Sequence, residues 1–439
     1  MSQTAHRGLQ GVDVDHRIRE YEATDPIDRE DFPDRARQVI ENEINAGAED
    51  DDEERSGGKR LKIEWLESGR VKLHATSFVG LVTLPGELTI EILPKVKGTD
   101  LLSMLQFSHG IEAETTDEET RLEHGEEFIQ ALATLFESEL DQVLTRGLHA
   151  SYRRTQGTEK HVRGRIDVHR QLQRHGPQPT RFECTYDELT RDTVLNQAVL
   201  YATDILLRLV GRGRVGQALE RHKQELQRRV ELRPVRLVEL DGIELSRLSE
   251  HYEDLYRLTR LVLSGIYIDE LQAGGRATSS LLVNMNDIFE SVVVEGVRRT
   301  YAGATVEVLS QARRRELFHK GARSVLIRPD VAVMDGEETV LVGDAKWKVD
   351  RKGSRSPSSG DLNQMIGYQV AYDGPGVLFY PEQDGRVQSV YKSKLEKDIQ
   401  VIEIPVQSTQ ENGYAKRVME HICTEIGPAS EEEMSVEDG

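Results

Sequence analysis

The sequence lacks several features that would assign a function class at once. It has only 2 cysteines among 439 residues, so it offers neither a disulfide framework nor a cysteine-rich zinc site. Its 13 histidines show no paired ligand spacing, which argues against a histidine-based metal site. No apolar run approaches the roughly 18 residues of a membrane-spanning helix, and the first residues do not resemble a signal peptide. We therefore expect a cytoplasmic protein with no membrane partner.

Aromatic residues and positive charge are also in short supply. Aromatics make up 5% of the chain, and 77 acidic residues outnumber 57 basic ones, for a formal net charge of −20. Such a charge argues against unguided DNA binding, although a local basic patch could still bind phosphates. Most of the basic residues are Arg, and an acidic, lysine-poor composition predicts a halophilic protein from a high-salt cytosol. The pattern G-x-x-x-x-G-K-[ST] is absent, so the sequence supplies no P-loop.

The composition changes along the chain and predicts a multidomain α+β or α/β protein. Residues 1–60 are polar and charged, and we expect a largely disordered acidic leader. Short alternations bounded by Gly and Pro predict a β-rich module over 61–107. Helical periodicity dominates 108–272, and the Gly- and Ser-rich end of that region precedes a last domain, 273–425. An acidic tail, 426–439, follows.

The stretch with the clearest chemistry spans residues 324–350. Apolar, β-branched segments on both sides of an Asp-Gly turn predict a hairpin of two strands. We expect a three-residue loop in which Asp335 pairs with Thr339. That register places Asp330 directly opposite Asp344, with Cβ atoms roughly 4.5–5.5 Å apart on one face.

Two opposed carboxylates repel each other unless a cation lies between them. Hard oxygen ligands of this kind suit Mg²⁺, or Mn²⁺. Lys346 is two residues beyond Asp344 and shares its face, so its ammonium group could orient a metal-bound water for phosphodiester hydrolysis. The alternative is an exposed hairpin with solvated charges. Two features argue against it: an unbroken apolar run precedes Asp344, and Pro329 predicts a bulge that would aim Asp330.

These residues carry a resemblance to a known superfamily. Pro-Asp at 329–330, followed by Asp-Ala-Lys at 344–346, resembles the PD-(D/E)xK nuclease motif. Amphipathic helices are predicted to open near Asn286, before the motif, and near Asp361, after it. The resulting order resembles the nuclease core of that superfamily, α-β-β-β-α-β.

The amino-acid sequences of several segments resemble, more specifically, those of McrC-type nuclease subunits of 5-methylcytosine-specific restriction systems. The similar segments are 78–80, 88–95, 161–167, 182–189, 286–290 and 361–368. The resemblance implies a Mg²⁺-dependent endonuclease that cuts methylated double-stranded DNA. It also implies that the amino-terminal region docks on an McrB-like AAA+ GTPase, whose nucleotide hydrolysis activates cutting.

The same resemblance implies roles for individual residues. Asp330 and Asp344 would hold the metal ion, with the Ala345 carbonyl as a further ligand. Glu290, on the helix before the hairpin, would bind the metal ion or its water. Lys346 would position or activate the attacking water.

Further candidates surround this predicted metal site. Gln364 and Tyr368 are i, i+4 on the second helix and resemble the superfamily's accessory glutamine motif. Lys348 shares the face of Lys346 and could contact DNA, as could Tyr368. The densest basic run of the chain is either a solvated loop or a DNA-backbone contact. Its DNA-contact candidates are Arg313, Arg314, Arg315 and Lys320.

Other interpretations remain open at this point. Asp187, Glu188 and Asp192 form either a metal cluster or, more commonly for such residues, an acidic helix start. The whole chain could instead be a stand-alone PD-(D/E)xK DNA-repair nuclease. It could also be a non-catalytic activator or scaffold of an AAA+ NTPase that has kept the nuclease fold.

Overall fold

The computed structural model of the chain describes most of the sequence. The described residues are 14–46, 58–86, 88–97, 99–110, 125–175, 180–211, 213–243, 245, 249–269, 278–310, 315–320, 323–348, 356–383, 389–394, 396–407 and 413–427. They form a mixed α/β structure with several sheets and 11 α-helices, as the predicted class requires. No helix in these ranges is both long enough and apolar enough to cross a membrane.

Strands and helices are mixed along the whole described chain. The strands are β1 (His16–Arg19), β2 (Leu61–Trp65), β3 (Val71–Ala75), β4 (Phe78–Leu84), β5 (Leu88–Leu93), β6 (Ser151–Glu159), β7 (Arg165–Ile166), β8 (Phe182–Thr190), β9 (Ile266–Asp269), β10 (Thr278–Asn284), β11 (Glu307–Ser310), β12 (Arg315–Lys320), β13 (Arg323–Ile327), β14 (Val331–Asp335), β15 (Glu338–Ala345), β16 (Gly376–Pro381), β17 (Ser389–Lys392) and β18 (Asp398–Ile404). The α-helices are α1 (Asp34–Val39), α2 (Leu101–Ser108), α3 (Gly125–Arg146), α4 (Val168–His175), α5 (Val194–Val210), α6 (Arg214–Gln227), α7 (Leu237–Leu240), α8 (Glu253–Ser264), α9 (Met285–Thr300), α10 (Ser359–Tyr372) and α11 (Tyr414–Ile426). A π-helical turn, Ile40–Ile44, continues α1, and a 3₁₀ turn, Glu250–Tyr252, precedes α8.

The chain folds into two compact units. Among the described residues, the first unit lies within 133–264, and the second lies within 14–132 and 265–427. This division differs from the predicted one, because the β-rich module and the last domain fall into the same unit.

The first unit contains a sheet that the predicted helical region, 108–272, did not include. Its three antiparallel strands have the order β6-β8-β7. The long strands are polar and largely exposed, so no apolar alternation marked them in the sequence. Asp187 and Glu188 therefore lie on β8 and not at a helix start, whereas Asp192 does precede α5.

The second unit opens with a five-stranded sheet, in the order β1-β5-β4-β10-β9. Part of the predicted disordered leader belongs to it, because β1 pairs in parallel with β5. Phe32, Ile40 and Ile44 are fully buried in the hydrophobic cluster under this sheet. The prediction of disorder is thus wrong for residues 14–46. Single apolar residues, too sparse to show a period, anchor this polar segment one by one.

Strand β10 joins the amino-terminal sheet to the elements that follow. It pairs antiparallel with β4, although residues from 273 onward were predicted to form a separate domain. The helix α9 begins directly after β10, and the Asn284 side chain caps its amino terminus by accepting from the Asn286 N–H. The amino-terminal sheet is therefore directly continuous with the start of α9.

A six-stranded mixed sheet forms the rest of this unit, in the order β11-β14-β15-β16-β18-β17. The strands β11, β14 and β15 pair antiparallel, and β15, β16 and β18 pair in parallel. The helix α10 packs on one face through Met365 and Tyr368, in a buried cluster with Val342 and Leu378. The carboxyl end of β15 lies between two neighbours in this sheet, and the candidate site is built there.

Candidate active site

The hairpin of β14 and β15 has the predicted register at its open end. Val331 pairs with Gly343, and the same offset places Asp330 opposite Asp344. Pro329 and Asp330 lie between β13 and β14, so the apolar segment read as one strand is two. Proline cannot donate to a strand ladder, which explains the break at this point.

The turn of the hairpin differs from the prediction. Asp335 pairs with Glu338 and not with Thr339, across a two-residue loop. The register shifts between Val333 and Met334, so a bulge absorbs the missing loop residue. Gly336, the first of the two loop residues, takes a positive φ of 61°, the region that two-residue hairpin loops require at that position and that glycine adopts without strain. The loop is one residue shorter than predicted and the bulge adds one residue, so Asp330 still lies opposite Asp344 as expected.

The strand β15 brings its carboxylate into a tightly packed position. Asp344 is only 2% exposed, and the neighbouring Ala345 N–H donates a 2.8 Å hydrogen bond to Asp330 Oδ2. A Cβ on Gly343 would lie 2.7 Å from Val331 Cγ1 and 2.8 Å from Phe379 Cε2. Only glycine therefore lets the three strands close up at the residue before Asp344.

The two aspartates repel each other. Burial raises the pKa of Asp330 well above its usual range, and the negative charges of Asp344 and Glu290 raise it further. Burial also raises the pKa of Asp344, while the Lys346 ammonium opposes that shift. A cation placed between these carboxylates would relieve the repulsion.

Lys346 is the first residue of a hydrogen-bonded chain that crosses to α10. Its Nζ forms an ion pair with Asp344 Oδ2, at 2.7 Å. Lys346 Nζ donates to Gln364 Oε1 at 3.0 Å, and Gln364 Nε2 donates to the Tyr368 hydroxyl at 2.7 Å. That hydroxyl donates in turn to the Arg328 carbonyl, at 3.1 Å. The chain fixes the position of the Lys346 ammonium group.

Tyr368 has a different role from the one predicted. Its ring is 4% exposed and belongs to the cluster under the sheet, so it does not fit the predicted contact with DNA. Burial and the Asp344 charge raise the pKa of its hydroxyl, which keeps that group a hydrogen-bond donor. The i, i+4 spacing puts Gln364 and Tyr368 on one side of α10, where their side chains are hydrogen-bonded to each other.

The sequence did not predict that a further buried carboxylate, that of Asp361, lies beside the site. Asp361, 3% exposed, accepts from Lys348 Nζ and from the Tyr380 hydroxyl, each at 2.9 Å. It also forms a capping box with Ser358 at the start of α10. The spacing Ser-x-x-Asp in the sequence is a signal for that cap, but nothing local predicts the contact with Lys348. In this structure the Lys348 ammonium group is therefore already paired with the Asp361 carboxylate.

The remaining predicted residues are placed as follows. Glu290 lies on α9, close enough to Asp330 for its charge to raise the pKa of that carboxyl. Arg315 and Lys320 are the first and last residues of β12. Arg313 and Arg314 lie outside the described residues. Within the described ranges, no group of three or more His, Cys, Asp or Glu side chains is already arranged to hold a metal ion.

Fold and site together define a class: a mixed α/β protein with a paired-aspartate and lysine site at the end of a central sheet strand. The McrBC family, described as 5-methylcytosine restriction system components, matches residues 73–381. The chain belongs to this family, as the sequence resemblance predicted. It is therefore a component of a restriction system.

Solved structures give a second comparison. A chain of the refined half-complex from the tetradecameric assembly of Thermococcus gammatolerans McrB AAA+ hexamers with bound McrC is 18% identical, with a TM-score of 0.58. That match covers 93% of this chain and 99% of the other, and it shows a shared fold. A chain of the cryo-EM structure of the Thermococcus gammatolerans McrBC complex is 19% identical over 69% of this chain and 89% of the other, with a TM-score of 0.44. No curated protein matches the chain.

Proposed function

We propose that the chain is the Mg²⁺-dependent DNA endonuclease subunit of a modification-dependent restriction system. The observation that carries the proposal is the meeting of Asp330, Asp344 and Lys346 at the end of β15. The surrounding elements support a PD-(D/E)xK core, because α9, β11, β14, β15, α10 and β16 follow one another in the order of that core. The hairpin of β12 and β13 is an addition to it.

The donor set fits a magnesium ion. Asp330 and Asp344 would hold it with the Ala345 carbonyl, and Glu290 would bind the ion or one of its waters. Asp330 and Asp344 are opposed carboxylates, the charge of Glu290 adds to their repulsion, and the Lys346 ammonium offsets part of it, so a cation is favoured here. Mg²⁺ is commonly bound by one or two carboxylates, waters and substrate phosphates, and the pair of aspartates suits that pattern. Bound there, the ion would supply Lewis-acid activation of the phosphodiester and a more acidic water.

The protein groups then have separate tasks. Lys346 donates hydrogen bonds that orient the attacking water and stabilise negative charge on the scissile phosphate. Gln364 and Tyr368 hold Lys346 at the required position. Lys348 and the basic run of Arg313, Arg314, Arg315 and Lys320 bind the DNA backbone. The Asp361 contact keeps Lys348 ordered before DNA arrives.

The proposal includes an AAA+ GTPase partner of the McrB type. The structural relative comes from an assembly of McrB AAA+ hexamers with bound McrC, and its fold extends over nearly all of this chain. The sequence has no P-loop pattern, so nucleotide hydrolysis would come from the partner. In this division of labour the partner recognises methylated DNA, and this chain cuts it.

The substitution Asp344→Asn tests the catalytic assignment. It removes one charge from the site at nearly constant volume, so cleavage of methylated plasmid with Mg²⁺, GTP and the partner should fall at least a hundredfold. Partner binding should remain. The matched control is Asp373→Asn, an exposed aspartate in a left-handed C-cap conformation that asparagine also adopts well. Cleavage by Asp344→Asn at the wild-type rate would refute the site and favour a non-catalytic activator.

A further inference from the structure

A buried polar cluster lies behind the candidate site and plays no part in the proposed chemistry. It consists of Glu20, just after β1, Lys95, just after β5, and Trp347, between Lys346 and Lys348. Glu20 is 1% exposed and Trp347 is 3% exposed. A charged side chain is rarely buried this completely without a specific arrangement of partners.

The three residues contact one another through all of their side-chain nitrogen and oxygen atoms. Trp347 Nε1 donates to both oxygens of Glu20, at 3.2 and 3.0 Å, and the Lys95 N–H donates to Glu20 Oε2 at 2.9 Å. Lys95 Nζ lies 3.8 Å from Glu20 Oε1 and donates to the Trp347 carbonyl at 2.6 Å. The cluster therefore holds both the indole and the backbone of Trp347.

The backbone on which the cluster acts is the exit from β15. The Lys346 N–H makes the last ladder hydrogen bond, to the Phe379 carbonyl at 2.8 Å. The Lys348 N–H donates back to the Lys346 carbonyl at 2.8 Å, which closes a tight turn around Trp347. At this turn Lys346 contacts Asp344 and Gln364 in the site, while Trp347 contacts Glu20 in the cluster. Fixing Trp347 thus fixes the direction of its neighbour.

Trp347 also reaches the helix that carries Glu290. Its ring packs against Phe289 with centroids 5.5 Å apart. Phe289 is fully buried, and it precedes Glu290 on α9. Trp347 is therefore next to Lys346 in the chain, and its ring contacts Phe289, which is next to Glu290.

The cluster tolerates few alternative arrangements. Burial raises the pKa of Glu20, and the Lys95 charge and the hydrogen bonds from Lys95 and Trp347 oppose that shift. When one partner of such a buried network is removed, the others are left without compensation. The network is therefore suited to selecting a single geometry at the end of β15.

We propose that Glu20, Lys95 and Trp347 are positioning residues, which tie the amino-terminal sheet to Lys346 and hold that lysine in its cutting position. None of the three contacts the reacting atoms. The inference rests on the proposed nuclease function, because Lys346 needs accurate placement only if it acts in cleavage. The inference adds that Glu20, in the amino-terminal segment, supports the active site through its contact with Trp347.

Two substitutions test this role with a matched control. Trp347→Phe keeps a ring against Phe289 and deletes the N–H donor, and Glu20→Gln keeps the shape and removes the charge. The control is Trp65→Phe, at the only other tryptophan of the sequence, which is 45% exposed on β2. Cleavage is measured with Mg²⁺, GTP and the partner, as kcat and KM for DNA, beside wild type and Asp344→Asn.

We expect Trp347→Phe and Glu20→Gln to lower kcat about tenfold to a hundredfold, because misplacement of a catalytic group by about 1 Å has effects of that size. KM should stay within a factor of about two, and the double variant should be no worse than either single one. Trp65→Phe should match wild type. A purely structural role would lower the active fraction and the melting temperature and leave the kcat of the folded molecules unchanged. Equal kcat in Trp347→Phe and Trp65→Phe would overturn the inference.

A second measurement separates this inference from the proposed function. The rate at which an amine-acylating reagent labels Lys346, followed by peptide mass spectrometry, needs no cleavage. Lys346 is 13% exposed in its side chain, so labelling should be slow in wild type and several-fold faster in Trp347→Phe and Glu20→Gln. If wild type and Asp344→Asn are equally inactive, the proposed function fails. Unchanged labelling in both cluster variants would then reject the positioning role as well.

Discussion

Asp330 shows how the functional site works against stability at the residue scale. Its oxygen has one donor, the Ala345 N–H, while burial and two negative neighbours disfavour its charge. An acid whose pKa is raised by folding contributes stability that is complete below its unfolded pKa, about 3.9. That stability is lost as the pH rises through the folded pKa. Above its folded pKa, and without a metal ion, Asp330 therefore no longer makes that contribution to the stability of the fold.

Asp330→Asn should stabilise the metal-free protein at pH 8. The amide cannot ionise, and its oxygen can still accept from the Ala345 N–H. We expect a melting temperature about 2–4 °C above that of wild type in EDTA, for a gain near 1 kcal/mol. The difference should disappear near pH 3.5, where both side chains are neutral.

Magnesium should reverse that order. Ligand binding to the folded state stabilises it by mass action, so saturating Mg²⁺ should raise the melting temperature of wild type and leave Asp330→Asn nearly unchanged. Calorimetry over pH 3.5–8, with EDTA or Mg²⁺, measures both effects. A wild type that is the more stable of the two in EDTA at pH 8 would contradict the repulsion between the aspartates.

Strand β15 is the element on which the candidate site depends. Antiparallel pairing with β14 places Asp330, and parallel pairing with β16 carries the ladder through to Lys346. Gly343 sits where the three strands close up, since its Cβ position is already filled by Val331 and Phe379. The glycine is needed here for space, not for an unusual φ.

Gly343→Ala should therefore separate the strands beside Asp344. Overpacking of this kind costs typically about 1–3 kcal/mol of unfolding free energy, and the displaced strand should also lose most cleavage activity. The control is Gly360→Ala in the first turn of α10, where the nearest side-chain atom is an ordinary 3.5 Å away. Alanine favours a helix, so that variant should be equal or slightly more stable. Urea unfolding compares the two variants, and equal midpoints would show that β15 can accommodate a Cβ at position 343.

At the scale of the whole molecule, the net charge of −20 sets the conditions for DNA binding. In a high-salt cytosol of about 1 M, the Debye length is roughly 3 Å, so long-range attraction between a basic patch and DNA is nearly absent. An acidic chain then depends on another protein to hold the duplex near Asp330 and Asp344. The proposed AAA+ partner would meet that need.

We predict that the chain alone cuts little in molar KCl and that an McrB-type GTPase with GTP restores specific cutting. The assay compares methylated and unmethylated plasmid, with and without the partner, and includes Asp344→Asn with the partner to exclude a contaminating nuclease. Equal, selective cutting with and without the partner would instead support a stand-alone nuclease.

Local signals in the sequence predicted much of the second unit. The helices α9 and α10 follow from periodicity, and the pairing at the open end of the β14 and β15 hairpin was predicted correctly although its turn was not. Asp330, Asp344 and Lys346 lie within about 20 positions of one another, so two-residue alternation could bring them together. Gln364 was placed beside them by the family resemblance alone.

By itself, then, the sequence determined the residues of the candidate site, the family and the absence of a P-loop pattern. Only the tertiary structure decided what supports that site. Trp347 and Glu20 are 327 residues apart, and no periodicity or turn signal connects them. The core position of residues 14–46, the pairing of β10 with β4 and the contact of Asp361 with Lys348 are of the same kind. Such contacts form only when segments that are distant in the sequence pack together, and the local hydrophobic pattern does not predict which segments will do so.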